Sequence, residues 1–203
     1  MSKPLINRLT TADNDFLPSL DNLIAWQSVT DSAVEAKVAE IIQQVRSCGD
    51  DALVSYTNQF DRRSCQAVDE LCVEKDQLVS ALDTIDAETR SALETAAARI
   101  TEYHEHQLQE SWHYQQADGT MLGQQITPLE RVGLYVPGGK ASYPSSVLMN
   151  CIPARVAGVE EIVMAVPSPD GQLSSVVLAA AQIAGVNKVF TIGGAQAVAA
   201  MAF

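Results

Sequence analysis

Two short stretches of this sequence combine residue types that can bind an anion. The first is Gly133-Leu-Tyr-Val-Pro-Gly-Gly139 and the second is Gly193-Gly-Ala-Gln196. Each follows a short apolar run and precedes a sequence with helical spacing, which predicts a strand, a glycine turn and a helix. Glycine lets the backbone approach a bound group closely, and N–H groups at a helix start attract anions such as phosphate. The two stretches therefore predict a ligand crevice at the carboxyl edge of a parallel sheet.

Two side chains in these stretches could contact a ligand. Tyr135 lies in the predicted strand just before the Pro-Gly-Gly turn. Considered by itself, a tyrosine in a strand usually packs in the core with its hydroxyl hydrogen-bonded. Gln196 follows the second glycine pair at a helix start, where a long amide suits hydrogen bonding better than packing. Neither turn has the G-x-G-x-x-G spacing of the dinucleotide fingerprint, so spacing alone favours two tight turns.

Other reactive side chains near the first turn are better explained by structure. Cys151 lies among apolar residues of a predicted helix and has no histidine close in sequence to lower its pKa, which predicts a buried thiol rather than a nucleophile. Lys140 and three nearby serines could bind phosphate, but a solvated lysine and a serine N-cap beside Pro144 are favoured. Those serines are Ser142, Ser145 and Ser146.

No catalytic or metal-binding residue is predicted within these 203 residues. His104 and His106 point about 200° apart on a helix, so they cannot share a metal ion. We expect them and His113 to be surface residues. Three aspartates at helix starts and turns are explained by local hydrogen bonding: Asp50, Asp51 and Asp61.

Alternating strands and helices position the two glycine turns. The pattern predicts strands at 132–136, 161–166 and 188–192, helices at 145–156 and 173–184, and a last helix that runs to the end. Strands that are apolar throughout and joined by helices are typical of a buried parallel sheet. Residues 119–203 are therefore predicted to form a Rossmann-like α/β domain that is incomplete at its C-terminal end.

The preceding region, residues 1–118, is predicted to be mainly helical. Apolar spacing indicates helices at 31–48, 50–60, 75–82 and 86–108, with possible short strands at 71–73 and, after the Asp118-Gly119 turn, at 121–126. Thr84 or Asp86 can cap the last of these helices. An apolar patch near the start is expected to pack on another subunit or domain: Leu23, Ile24 and Trp26.

Composition limits the class of protein. The net charge of -12, without a basic cluster, argues against binding to nucleic acid or to an anionic membrane surface. No run approaches the roughly 20 apolar residues of a membrane span, and the first residues lack the apolar core of a signal peptide. Four scattered cysteines fit reduced thiols. We expect a cytoplasmic globular protein. Its apolar, uncapped last residues also suggest an N-terminal fragment of a longer chain.

Several motifs together resemble the histidinol dehydrogenase family. They are Gly133 to Gly139, Pro153 to Gly158 and Gly193 to Ala200, in that order, with weaker likeness at 49–61. The resemblance implies an aldehyde dehydrogenase-like fold, a homodimer, and two NAD-dependent oxidations that convert L-histidinol through histidinal to L-histidine. It also implies that Tyr135 and Gln196 contact NAD.

The resemblance places the zinc ligands and the acid/base pair of the family beyond Phe203. A fragment without them is expected to be inactive alone. Two alternatives remain open from the residues themselves. One is another aldehyde dehydrogenase-like oxidoreductase with a different substrate, and the other is a non-catalytic α/β module that binds an anionic ligand or mediates assembly.

Overall fold

The computed structural model describes residues 8–25, 32–138 and 142–203. Its contacts form two compact units that divide between residues 40 and 41. The first unit contains helix α1 (Phe16–Ile24) and the beginning of α2 (Ser32–Cys48). The sequence pattern missed α1. Leu23 and Ile24 are exposed there, whereas Trp26 lies outside the described residues.

The described residues of the second unit form the remaining helices and six strands. The helices are α3 (Asp50–Asp61), α4 (Lys75–Thr84), α5 (Ala87–Glu105), α6 (Pro144–Val156), α7 (Ser175–Ala184) and α8 (Gly194–Ala202). The strands are β1 (Cys72–Val73), β2 (Trp112–Gln115), β3 (Met121–Gln124), β4 (Arg131–Tyr135), β5 (Glu161–Ala165) and β6 (Lys188–Phe190). β4, β5 and β6 each end one or two residues earlier than the sequence pattern predicts.

A four-stranded sheet with the order β1-β6-β5-β4 forms the centre of this unit. β4, β5 and β6 are parallel, and α6 and α7 connect them in turn. β1 adds to the edge in the antiparallel direction, pairing Cys72 with Phe190. The predicted Rossmann-like α/β class is confirmed, because apolar strands joined by helices do form a parallel sheet.

Alternate residues of β5 face opposite sides of this sheet, as the pleat requires. Ile162 and Met164 pack in the larger core with α4, α5, α6 and α7, whereas Ala165 packs with residues of α3 and α8. The sheet is therefore covered on both faces. The parallel strands of such a layer end at a common edge, where connecting segments are free to bind ligands.

The antiparallel hairpin β2–β3 is exposed along its whole length. The sequence predicted a strand at 121–126 and the Asp118-Gly119 turn, where Gly119 has φ +92°, but not β2. Trp112 and Tyr114 stack on one another with ring centroids 6.3 Å apart. The hairpin spans the predicted domain boundary between residues 118 and 119, and that boundary stays a prediction.

Helix ends follow some of the expected capping chemistry. The Asp86 carboxylate accepts a hydrogen bond from the Thr89 N–H at 2.8 Å, as expected of an N-cap. Gly49 has φ +56° and follows α2 directly, as expected of a helix stop. The predicted serine cap of α6 is wrong, because Tyr143 is the N-cap residue and makes no side-chain cap. Pro144 instead begins the helix, where its missing N–H needs no partner.

No helix in the described ranges has both the length and the apolar character needed to cross a membrane.

Candidate functional site

The segments that follow the three parallel strands come together at Pro167, which lies just after β5. A Cβ atom added at Gly138, after β4, would lie 2.8 Å from Pro167 Cγ. One added at Gly193, after β6, would lie 2.5 Å from Pro167 Cβ. Real Cβ atoms essentially never approach so closely, so both positions need glycine for lack of space. Pro167 is therefore the contact that brings the two glycine turns together, and the sequence offered no signal for it beyond a strand end.

Tyr135 connects the two turns directly. It is the last residue of β4, and its hydroxyl accepts a hydrogen bond from the Gly194 N–H at 3.2 Å. Gly194 has φ +64°, a left-handed conformation that favours glycine. The prediction that both turns meet at one edge of the sheet is confirmed. Tyr135 remains 38% exposed, so a ligand at this edge can reach the residue.

Gln196 lies in the first turn of α8 and is buried, with 1% of its surface exposed. Its Oε1 atom has no hydrogen-bond partner in the described part of the chain. A buried acceptor without a partner costs roughly 1–3 kcal/mol, so such groups call for an explanation. A ligand that donates a hydrogen bond would satisfy this atom. The unpaired acceptor therefore makes Gln196 a candidate ligand contact.

A cleft of about 550 Å³ opens beside these turns, between the ends of β4 and β5 and the start of α7. This volume lies within the usual range for small-molecule sites. The apolar lining residues are Pro137, Val166, Pro167, Pro169, Leu173 and Val177. Ser142 and Ser174 add hydroxyl groups, and Ser174 is the N-cap residue of α7 without a side-chain cap bond. Ser142 is thus at the cleft rather than capping a helix, and Lys140 lies outside the described residues.

The end of α3 brings charged residues to the same edge. Asp61 is 7% exposed, and its Oδ2 atom has no hydrogen-bond partner among the described residues. Burial raises the pKa of Asp61, while the Ser168 N–H and the charges of Arg63 and Arg62 act in the opposite direction. Ser168 is distant in sequence, so the surroundings of Asp61 include a non-local neighbour. A non-local contact of this kind has no signature in the sequence.

Arg62 and Arg63 contact segments that follow two different strands. Arg62 pairs with Asp170, which lies after β5, through Nε and Oδ1 at 2.7 Å. Arg63 Nη1 donates to Thr191 Oγ1 at 3.2 Å, just after β6. The sequence analysis overlooked both arginines, because their partners are more than 100 residues away. Together they tie α3 to the carboxyl edge of the sheet.

The remaining candidate functional residues, Cys151 and the histidines, have structural or surface roles. Cys151 is fully buried, and burial raises the pKa of its thiol to about 12, so the prediction of a structural thiol is confirmed. His106 and His113 are exposed, whereas His104 is half-buried and contacts Gln107 Oε1 at 2.7 Å. Within the described ranges, no group of three or more His, Cys, Asp and Glu side chains is arranged to hold a metal ion.

Comparison with known proteins identifies relatives of the chain. A family model described as histidinol dehydrogenase matches residues 25–203. Histidinol dehydrogenase from Pseudomonas putida is 58% identical over 198 residues, which is 98% of this chain and 45% of that protein. The enzyme from Dechloromonas aromatica is 54% identical over 98% of this chain and 46% of its own length. The chain therefore spans about half the length of the curated relatives it matches.

A solved structure supports the same relationship. The crystal structure of histidinol dehydrogenase from Elizabethkingia anophelis superposes with a TM-score of 0.77 and 29% sequence identity. The match covers 84% of this chain and 39% of that one.

Proposed function

Because this chain belongs to the histidinol dehydrogenase family, we propose that it forms the cofactor-binding part of an NAD-dependent, zinc-requiring enzyme. The complete enzyme oxidises L-histidinol through histidinal to L-histidine, the last steps of histidine biosynthesis. The observation that carries the proposal is the buried, unpartnered Gln196 Oε1 beside the hydrogen bond between Tyr135 and Gly194. These are the two residues for which the family resemblance implies contact with NAD.

The residues at the carboxyl edge of the sheet fit this cofactor. NAD, when bound, supplies the hydride acceptor for both oxidations. Tyr135 offers a partly exposed ring and a hydroxyl that Gly194 orients. Gln196 Oε1 can accept a hydrogen bond from a ligand amide or hydroxyl, which removes the cost of leaving it unpaired. The adjacent cleft has room and apolar surface for a ring system.

The described residues do not fit a zinc site. No suitable cluster of His, Cys, Asp and Glu side chains occurs among them. The family resemblance alone carries the proposal that the zinc ligands and the acid/base pair lie beyond Phe203. The part of the reaction that this chain supports is binding and orienting the cofactor. Assembly as a homodimer and a cytoplasmic location belong to the same proposal.

Titration of NAD into the purified 203-residue chain, followed by NMR, tests the cofactor assignment. We expect Tyr135→Phe and Gln196→Ala to weaken binding by about 2- to 10-fold, since each removes one hydrogen bond. Tyr114→Phe and Gln124→Ala on the exposed hairpin are matched controls and should bind as the wild type does. A folded wild-type chain that does not bind NAD at millimolar concentration contradicts the assignment and favours a module for assembly.

An activity assay tests whether this chain lacks the catalytic residues. The chain supplied with zinc, NAD and L-histidinol is expected to produce no NADH above background. Zinc-dependent NADH formation by the chain alone would show that the acid/base groups are within it, contrary to the proposal.

A further inference from the structure

An ion pair joins the end of α3 to the segment that follows β5. Arg62 Nε donates to Asp170 Oδ1 at 2.7 Å, and Arg62 Nη2 donates to Asp170 Oδ2. The two parallel hydrogen bonds have the fork geometry with which arginine recognises carboxylates and phosphates. Both residues line the 550 Å³ cleft, and both side chains are more than half exposed. The pair is therefore open to a ligand in the cleft.

The backbone at both residues is unusual. Arg62 has φ +53° and Asp170 has φ +56°, and within the described ranges every other residue with positive φ is a glycine. The left-handed region is unfavourable for residues with a Cβ atom, and residues held there are frequent at binding sites. The two exceptions are paired with each other at one cleft. Arg62 adopts this conformation as the C-cap residue of α3, and Asp170 lies in the turn just before Gly171, so the ion pair joins two chain turns at the cleft.

The charges in the cleft come from the same pair. Among the described residues that line it, Arg62 and Asp170 carry the formal charges, and the others are apolar or uncharged. Asp170 engages the Nε and Nη2 atoms of Arg62, and Nη1 makes no hydrogen bond to a described residue. A phosphate presents two oxygens to the guanidinium as a carboxylate does, and the terminal phosphate of a mononucleotide carries up to two negative charges. It can therefore compete with Asp170 for the guanidinium group.

We propose that Arg62 is a phosphate-binding residue of this cleft, and that Asp170 occupies its guanidinium until a nucleotide phosphate replaces the carboxylate. The ligand class is a nucleotide with an accessible phosphate. Identifying that nucleotide with NAD rests on the proposed function. Asp170 neutralises Arg62 through this ion pair, and it acts as an internal competitor when the ligand binds. Removing Asp170 should thus tighten phosphate binding, whereas removing Arg62 should weaken it.

The test compares AMP with adenosine, which share base and ribose and differ by the phosphate. Each is titrated into the 203-residue chain and followed by NMR, with thermal melting to confirm that every variant is folded. We expect Asp170→Asn to bind AMP about two- to fivefold more tightly, the range for releasing an exposed ion pair. Its affinity for adenosine should not change. Arg62→Gln should lower AMP affinity to that of adenosine, and Arg62→Lys should lie between because it keeps the charge without the fork.

Glu94→Gln is the matched control. It removes one negative charge from an exposed arginine pair on α5, where Arg90 Nε lies 2.9 Å from Glu94 Oε1. This variant should bind AMP as the wild type does. Equal effects of Asp170→Asn and Glu94→Gln would reveal a general charge effect and overturn the proposal. Weaker binding of both AMP and adenosine by Asp170→Asn would overturn it too, because Asp170 would then only hold the segment in place.

The outcomes separate this inference from the proposed function. NAD binding together with AMP binding that does not depend on Arg62 overturns the inference alone. AMP binding that depends on Arg62, without NAD binding, supports the inference and contradicts the NAD assignment. A folded wild-type chain that binds AMP no better than adenosine also overturns the inference.

Discussion

Replacing Gly193 by alanine tests whether Pro167 holds the two glycine turns together. The backbone at Gly193 is extended, with φ −131°, so alanine fits its conformation and the expected cost is steric. The new Cβ atom would lie 2.5 Å from Pro167 Cβ and 3.3 Å from its Cα and Cγ atoms. To reach an ordinary contact of at least 3.4 Å, the segments after β5 and β6 must separate. A proline ring and the backbone next to it cannot rotate away as a flexible side chain would.

The expected loss of stability is about 2 kcal/mol, the middle of the range for overpacking a close contact. For a chain of this size that loss lowers Tm by about 4–8 °C. Thermal melting and urea unfolding followed by circular dichroism measure the change. Because the displaced turn carries Gly194, we also expect the hydrogen bond from its N–H to Tyr135 to weaken. NMR exchange protection of the Gly194 amide should fall with it.

A double-mutant cycle with Pro167→Gly identifies the cause. Removing the proline Cβ should relieve most of the cost of Gly193→Ala, which gives a coupling free energy of about 1 kcal/mol or more. Gly119→Ala is the control, because Gly119 has φ +92° and open space around it, so its cost is conformational and should not couple to Pro167. If Gly193→Ala changes stability by less than about 0.5 kcal/mol, or shows no coupling, the convergence at Pro167 does not constrain the turns as argued.

Three further predictions concern a buried thiol, a helix N-cap and an arginine that connects two loops to a helix. Burial raises the pKa of the Cys151 thiol to about 12. At pH 8 iodoacetamide should therefore label the exposed Cys48 and spare Cys151, which mass spectrometry can measure. Rapid labelling of Cys151 in the folded chain would contradict its burial. The hydrogen bonds from Thr89 lower the pKa of Asp86. The destabilisation caused by Asp86→Ala should therefore be complete above about pH 4 and should shrink as the pH falls through the lowered pKa. Urea unfolding that shows the same destabilisation down to about pH 2 would disprove the capping role. Arg155→Lys should lower the free energy of unfolding by roughly 1.5–3 kcal/mol. The Arg155 guanidinium joins the end of α6 to the carbonyl groups of Val159, Glu160 and Gly185, and lysine cannot make all of these hydrogen bonds. An unchanged urea midpoint would refute this.

Local patterns in the sequence were sufficient for the secondary structure around the site. The apolar runs that end in glycine pairs predicted β4 and β6 and the helices after them, because periodicity and turn chemistry are properties of neighbouring residues. The same holds for the buried Cys151 within an apolar helix and for the cap at Asp86. Resemblance to a family, carried by the glycine motifs, supplied the identity of the cofactor residues. That part of the assignment stays a prediction.

The arrangement of the site depended on contacts between distant residues. Only the tertiary structure placed Pro167 between Gly138 and Gly193, because the sequence cannot show which strand ends lie side by side. It also paired Arg62 with Asp170, 108 residues further on. The exposed hairpin strand β2 was missed since its short alternation is too weak a signal beside a long helix. Periodicity reports which face of an element is buried, but close packing decides what lies against that face. Local sequence patterns therefore determined most of the elements and the glycine turns, and packing across the sheet determined the cleft.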